Sequence, residues 1–367
     1  MFINIILISL LLAAPACQPG KVRVEPLTTP TIALAGTDTT LTAEPDLTLN
    51  PLTGLPAQDV ALLDRRPVMI KVSNYPQVGR PHAGLAYADI VFDYFIGSGT
   101  NRFLAVFYGQ DAESIGPVRS GRLVDVQLVS LYQGILGFGG AEDNTREIIY
   151  RELGRRAIAN LEAPCPAFCG TDTHSVTGVF ANSGELSRWY SSQAKDNQRY
   201  DLGGMTFAEA IPASGQPAEK VTILFNYYNR GEWRFDNASG NYLRWTEFML
   251  DETTYLMLPS TERATGEQLS FANIILLFAK YDEINPSKHD IELFDNSNGQ
   301  RAVFFRDGQM FTGQWQTPDR TRPIQFTDAS GNPFALKPGN TWIAILGQNS
   351  LFNQVAAGQW QVFFVLP

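Results

Sequence analysis

The sequence of 367 residues predicts an α+β protein: a mixed α/β sheet domain over residues 51–212, then a mostly antiparallel, β-rich domain over 213–367. Three observations carry that expectation. In the first half, short β-branched and aromatic runs alternate with amphipathic helical stretches. In the second, apolar runs follow one another between turn residues, with no helical period among them. Between the halves stands "IPASGQPAEK", a Pro/Gly/Ala stretch of the kind that joins domains.

The chain opens with "MFINIILISLLLAAPA", uncharged and mostly aliphatic, too short to span a bilayer comfortably and ending in small residues as an export signal does. Cys17 follows Ala14-Pro15-Ala16, the pattern of a bacterial lipoprotein box whose cysteine is lipidated; a plain cleaved signal peptide (1–16) is the alternative. Residues 17–50 are rich in Thr, Pro and Ala without a sustained apolar period, so they read as a tether. Together these predict a body held at the cell membrane by lipid on its extracytoplasmic side.

In the first domain, Val68, Ile70 and Val72 alternate as in a strand, and two β-rich runs around Gly97-Ser98-Gly99-Thr100-Asn101 predict a hairpin. "SGRLVDVQLVSLYQ" places Val124, Leu128, Leu131 and Tyr132 on one helical face, with Ser120 as N-cap. "GILGFGG" predicts a glycine-rich short strand, "EDNTREIIYREL" a second helix, and "SGELSRWYSSQA" a third, capped by Asn182 or Ser183. In the second domain "KVTILFNYY", "EWRFDN", "NYLRWTEF", "FANIILLFAKY", "DIELFD", "RAVFFRDG" and "TWIAILG" predict successive strands.

With 37 acidic against 28 basic residues and a formal charge of −9, the chain lacks the basic surplus of a nucleic-acid binder. No P-loop, H-E-x-x-H helix, G-x-S-x-G elbow or dinucleotide glycine spacing is present, so no metal or cofactor is expected; "GFGGA" admits close backbone approach but is no nucleotide loop. Cys165 and Cys169 form an isolated pair that an exported compartment favours as a disulfide; free thiols, or thiolates with His174 on a metal, are the other readings.

Taken in order, "NPLTGLP", "RPVMIKVSNYPQVGRPHAGLAYADIVFDY", "TNRFLAVF", "IGPVRSGR", "GNYLRW", "ANIILLF" and "LKPGNTWIAIL" resemble the YerB-like family of bacterial lipoproteins, a domain of unknown function. The resemblance covers nearly everything after the tether and implies an export signal, a lipidated cysteine, an N-terminal mixed domain and a β-rich C-terminal one. It implies no catalytic residue. Gly121 stands where the family often has alanine, and "THSV" where a Pro-His-Asn-Leu string is common.

The sharpest local feature is "SIGPVRSGR". Arg119 and Arg122, three apart beside Ser120 at a helix start, suit an anion, because unpaired backbone N–H groups and the helix dipole already favour negative charge there. With Arg102, just after the hairpin, they predict a site for an anionic glycan or a phosphate-bearing ligand. Pairing with Asp111, Glu113 or Asp125 is the structural alternative. A hydrolase would use His174 as acid or base, oriented by Asp172 or Asp143, with His82 a second candidate; His289 in its polar turn is expected to be exposed. A third role, docking a protein or glycan, would use Tyr227, Tyr228, Trp233, Tyr242 and Trp245 if they are exposed rather than packed.

Overall fold

β1 (Val68–Ser73), β2 (Ile90–Gly97) and β3 (Thr100–Phe107) are almost wholly buried strands, as their unbroken runs of Val, Ile, Phe and Leu require. In the computed structural model, which describes residues 47–170, 175–286 and 288–366, they form the middle of a large mixed sheet. β2 and β3 are the expected hairpin, turning through Ser98 (φ 50°) and Gly99 (φ 72°), both left-handed as a two-residue turn demands. β1 pairs antiparallel with β3 and parallel with β4 (Ile135–Phe138), and β5 (Ala157–Ala159) closes that edge.

On its other side, β2 pairs in parallel with Thr341–Gly347, near the C-terminus, which pairs in turn with Asn273–Asn285. One sheet therefore runs through both halves of the sequence, and Asp46–Pro367 forms one compact unit. The stretch "IPASGQPAEK" is pinned to this sheet as well, through a two-residue strand, Gln216–Pro217, paired with Gln309 and Met310.

The helices follow the periodicity read from sequence. α1 (Leu123–Leu131) and α2 (Asp143–Leu153) pack on one face of the sheet, with Tyr132 edge-on to Phe92 and Tyr150 against Phe138. α1 buries Val124, Leu128 and Leu131 as expected, and also Asp125, Val126 and Val129. Its cap differs from expectation. The helix starts at Leu123 with Arg122 as the cap residue, whose N–H donates to Asp125 Oδ2 at 2.6 Å; Ser120 lies two residues too early and offers its carbonyl elsewhere. α3 (Ser183–Gln193) is capped by Asn182, whose side chain accepts from Glu185 N. It lies on the opposite face, where Leu186 and Ile70 close over Gly137; a Cβ there would meet them at 2.8 and 2.6 Å, which accounts for a glycine in β4.

That opposite face also receives a second sheet, made by Asn241–Met249, Asn229–Asp236, Lys220–Asn226 and Gln359–Phe363 with edge strands Tyr255–Pro259 and Leu351–Ala356. Trp342 is the hub of the join, with Phe103, Trp233 and Phe271 rings at 4.9, 5.3 and 5.1 Å. A buried polar staple sits beside it. Glu247 receives Arg80 Nη2 at 2.9 Å, the Tyr75 hydroxyl and the Arg230 N–H at 3.1 Å, so the loop after β1 is tied to the second sheet.

His289 departs from expectation. It alternates with Ile291 on the inner side of Lys288–Glu292 and is buried, its ring 5.2 Å from Phe95. Glu283 Oε2 lies 3.7 Å from its Nε2, too long for a hydrogen bond, and burial holds its pKa below the usual histidine range.

Because Glu247 is fully buried with its positive partner beside it, Glu247→Ala should lower unfolding free energy by about 3–5 kcal/mol, leaving Arg80 uncompensated. Urea denaturation of Glu247→Ala against Glu252→Ala, an exposed control expected within about 0.5 kcal/mol of wild type, checks this.

Candidate functional site: an arginine cluster over a buried lysine

Strand alternation puts Lys71 of β1, Tyr94 of β2 and Arg102 of β3 on the sheet face that α1 covers, with Arg102 directly opposite both Tyr94 and Ser73. Asp125 enters from the first turn of α1. Lys71, Tyr94 and Asp125 are fully buried. Lys71 Nζ lies 3.1 Å from Asp125 Oδ1 and also donates to the Tyr94 hydroxyl, which donates to the same carboxylate oxygen. The other oxygen takes the Arg122 N–H, so one carboxylate holds a lysine, a tyrosine and a helix start.

Around this triad stand the three arginines. Arg102 Nη1 donates to the Ser120 carbonyl at 2.8 Å, and Arg122 Nη1 donates to Gly121 O at 2.9 Å and Ser120 O at 3.4 Å. The Ser120 carbonyl thus brings two guanidinium groups side by side. Arg119 is fixed by its backbone, donating to Lys71 O and accepting from Gly139 N, both at 2.9 Å; the glycine-rich strand end backs this loop. Its guanidinium makes no hydrogen bond or ion pair among the described residues, and the Nε atoms of Arg119 and Arg122 are buried without a partner.

No side-chain ion pair joins Arg119 or Arg122 to Asp111, Glu113 or Asp125 among the described residues, although the Arg122 N–H donates to Asp125 and the Arg102 and Arg122 guanidinium groups hold loop carbonyls. Asp111 is held by Arg65 at 2.8 Å and by the Ser183 hydroxyl at 2.6 Å, Glu113 is exposed, and Asp125 is committed to Lys71. Among the described residues the cluster has four cationic side chains and one carboxylate. Burial, then the like charges of Arg122 and Arg119, pull Arg102 down to about 9. Burial pulls Lys71 down to about 7, with Arg102 and Arg122 pushing the same way and Asp125 opposing them.

His174 and Asp172, with Cys17 and the tether up to residue 46, lie outside the described residues; residues 47–50, expected to belong to the tether, are described, and Asn50 is buried with its side chain donating to Asp89 Oδ1 at 2.9 Å. The hairpin of β6 (Phe168–Gly170) and β7 (Val179–Ala181) that flanks His174 and Asp172 is hydrogen-bonded to the approach to Arg119, Val118 N to Val179 O at 2.8 Å. Cys165 and Cys169 form a disulfide, so their thiolates bind no metal, and no cluster of ligating side chains suited to a metal occurs among the described residues. His82 is buried on the opposite face with Nε2 at 2.8 Å from Ser73 O; burial first, then Arg80 and Arg244, hold its pKa well below the usual range. Of the aromatics, Trp233 and Tyr242 are core and Trp245 is half-buried under Arg234, leaving Tyr227 and Tyr228 exposed.

A cavity of about 800 Å³ lies beyond Leu123 and Val126 of α1 and is lined by Glu152, Asp290, Glu292 and Asp295, a setting that repels anions. Sequence reasoning missed Lys71, Tyr94 and Asp125 as site members. The available signal was a lone lysine inside the apolar run "VMIKVS".

Alkylation of denatured, unreduced protein should leave Cys165 and Cys169 unlabelled, and prior reduction should add two labels by mass spectrometry. For Lys71 the folded pKa lies below the unfolded value, so between about pH 7 and 10 the unfolded chain carries the extra proton and this group's contribution to stability grows as pH rises. The urea midpoint difference between wild type and Lys71→Met should therefore widen in favour of wild type from pH 7 to pH 9.5.

Two models of one family match in chain order: the "Protein of unknown function (DUF3048)" N-terminal domain over residues 52–192 and its C-terminal domain over 221–343. A relative from Bacillus subtilis (strain 168), named "Putative lipoprotein YerB", is 28% identical over 306 residues, covering 81% of this chain and 85% of its own length. The crystal structure of the YerB protein from Bacillus subtilis matches with a TM-score of 0.67 and 25% identity, covering 81% of this chain and 96% of that one. Among the described residues no helix is long and apolar enough to cross a membrane. The same two domains in the same order, on a fold shared with a solved relative, make this chain a member of the YerB-like, DUF3048 family.

Proposed function

We propose that this protein is a lipid-anchored envelope protein, tethered through Cys17 on the extracytoplasmic side, that binds an anionic ligand through Arg102, Arg119 and Arg122 at the start of α1. The observation that supports the reading is the charge balance among the described residues: four cationic side chains stand around one carboxylate, and two guanidinium Nε atoms are buried without a partner there. A buried donor left unpaired is costly, and an anion arriving there satisfies several at once. The lipid anchor rests on the name of the Bacillus relative and on the lipoprotein box of the sequence. A hydrolase built on His174 draws no support from the described residues, and protein docking through Tyr227 and Tyr228 rests on exposure alone.

Binding of inorganic phosphate to the purified full chain, wild type and Arg119→Ala, tests the reading by calorimetry and melting. Wild type should bind, and the variant should bind at least about tenfold more weakly, the cost of a lost charge-assisted pair. The unliganded variant should melt within about 2 °C of wild type, because Arg119 holds no internal carboxylate. No binding by wild type, with a variant that melts several degrees lower, makes the arginine structural and removes the site.

A further inference from the structure

The three arginines do more than attract negative charge in general, and the inference that follows rests on the anion site proposed above. The accounting is local. Asp125 is already saturated on both oxygens, by Lys71 and Tyr94 on one and by the Arg122 N–H on the other. Its single charge is set against Arg102, Arg119, Arg122 and Lys71. With the lysine neutral the cluster carries two surplus positive charges, and with the lysine protonated three. Arg102 is nine-tenths buried, so solvent does little to screen that surplus.

We propose that the ligand is a doubly charged phosphate group, a terminal monoester, rather than a phosphodiester or a carboxylate. A monoanion leaves at least one positive charge unmatched in a poorly solvated place, whereas a dianion cancels the surplus. Shape points the same way. Three planar guanidinium forks, two of them brought side by side on the Ser120 carbonyl, suit three terminal oxygens, which a monoester has and a diester or carboxylate lacks.

The charge balance has a measurable signature. The groups facing Lys71 are Asp125 from α1, Tyr94 from β2, Arg102 from β3, and Arg122 from the loop before α1. In the empty site Arg102 and Arg122 disfavour a proton on the lysine; a dianion on the same arginines removes that repulsion and lets the proton return. Monoesters are already dianions at pH 8, their second pKa being about 6, so a proton taken up there goes to the protein.

The test is titration calorimetry of the purified full chain at pH 8, in two buffers of different ionisation enthalpy. The probes are glycerol 3-phosphate, a glycerophosphodiester, acetate, and vesicles carrying either phosphatidic acid or phosphatidylglycerol. The proposal expects the monoester group to bind at least about tenfold more tightly than diester or acetate, with net proton uptake, and Arg119→Ala to lose that preference. Binding of the soluble ester assigns a soluble source, and binding of phosphatidic acid vesicles alone assigns a lipid headgroup; both support the monoester class. Equal, Arg119-dependent affinity for diester and monoester overturns the dianion while leaving an anion site in place. Monoester binding without proton uptake overturns the charge accounting. Absence of binding by every probe overturns this inference together with the anion site.

Discussion

A lysine with no access to water decides how the first half of this protein is arranged. Lys71 sits in the middle of a strand whose six residues are all buried, and among the described residues the one carboxylate that pairs with it comes from the first turn of α1. Desolvating two charges is expensive, and the cost is recovered only if the geometry is kept. α1 therefore cannot slide on the sheet without stranding either charge. Because Asp125 also holds the Arg122 N–H, the same constraint places the helix start, and with it the arginines. The placement of the arginine cluster is a by-product of the anchor that docks the helix.

The two faces of β3 divide the labour. Arg102 faces α1, while Asn101 and Phe103 face the second sheet, where Asn101 donates to Asp93 and accepts from Asn74 at 2.7 Å. Arg80 continues that chain from Asn74 to Glu247, and Arg244 lies against Trp342 at 4.6 Å. On this face Arg80 pairs with Glu247, and Arg244 donates to the Ser260 hydroxyl at 2.6 Å while its Nε is buried without a partner among the described residues. On the other, charge is left over. Strand alternation thus separates a polar network that joins the halves from the arginine cluster, where the anion site is proposed. The hairpin tip ties the arrangement down, since Asn226 and Asn229 of the second half both donate to Gly99 O, at 2.7 and 3.1 Å. A side chain at Gly99 would collide with Asn226 Nδ2 at 2.2 Å.

Much of this was legible in the residues. The strands, the β2–β3 hairpin, the three helices and the β-rich second half follow from periodicity and turn chemistry, which act locally. What periodicity does not carry is which strands pair. Nothing local in "TWIAILG" says that it lies beside β2, because parallel partners are joined through long connections and the run is apolar on both faces. His289 looked exposed because its neighbours are polar; alternation in a five-residue strand turned it inward. The arginines were visible as a short motif, but the carboxylate that could have neutralised them, Asp125, was already claimed by a lysine more than fifty residues away in sequence. Whether a motif is a site depended on that distant pairing.

The overall charge of −9 bears on how such a site works. A protein that is negative on the whole does not draw anions from a distance, and at physiological salt its field fades within about 8 Å. At the anion site proposed above, recognition would then rest on short-range terms: the buried Arg102 and half-buried Arg119 and Arg122, and the neighbouring Lys71. Such terms contribute selectivity and slow release more than fast capture. That would suit the lipid-anchored anion binder proposed above, for which encounter is frequent already and discrimination between similar anions is the harder task.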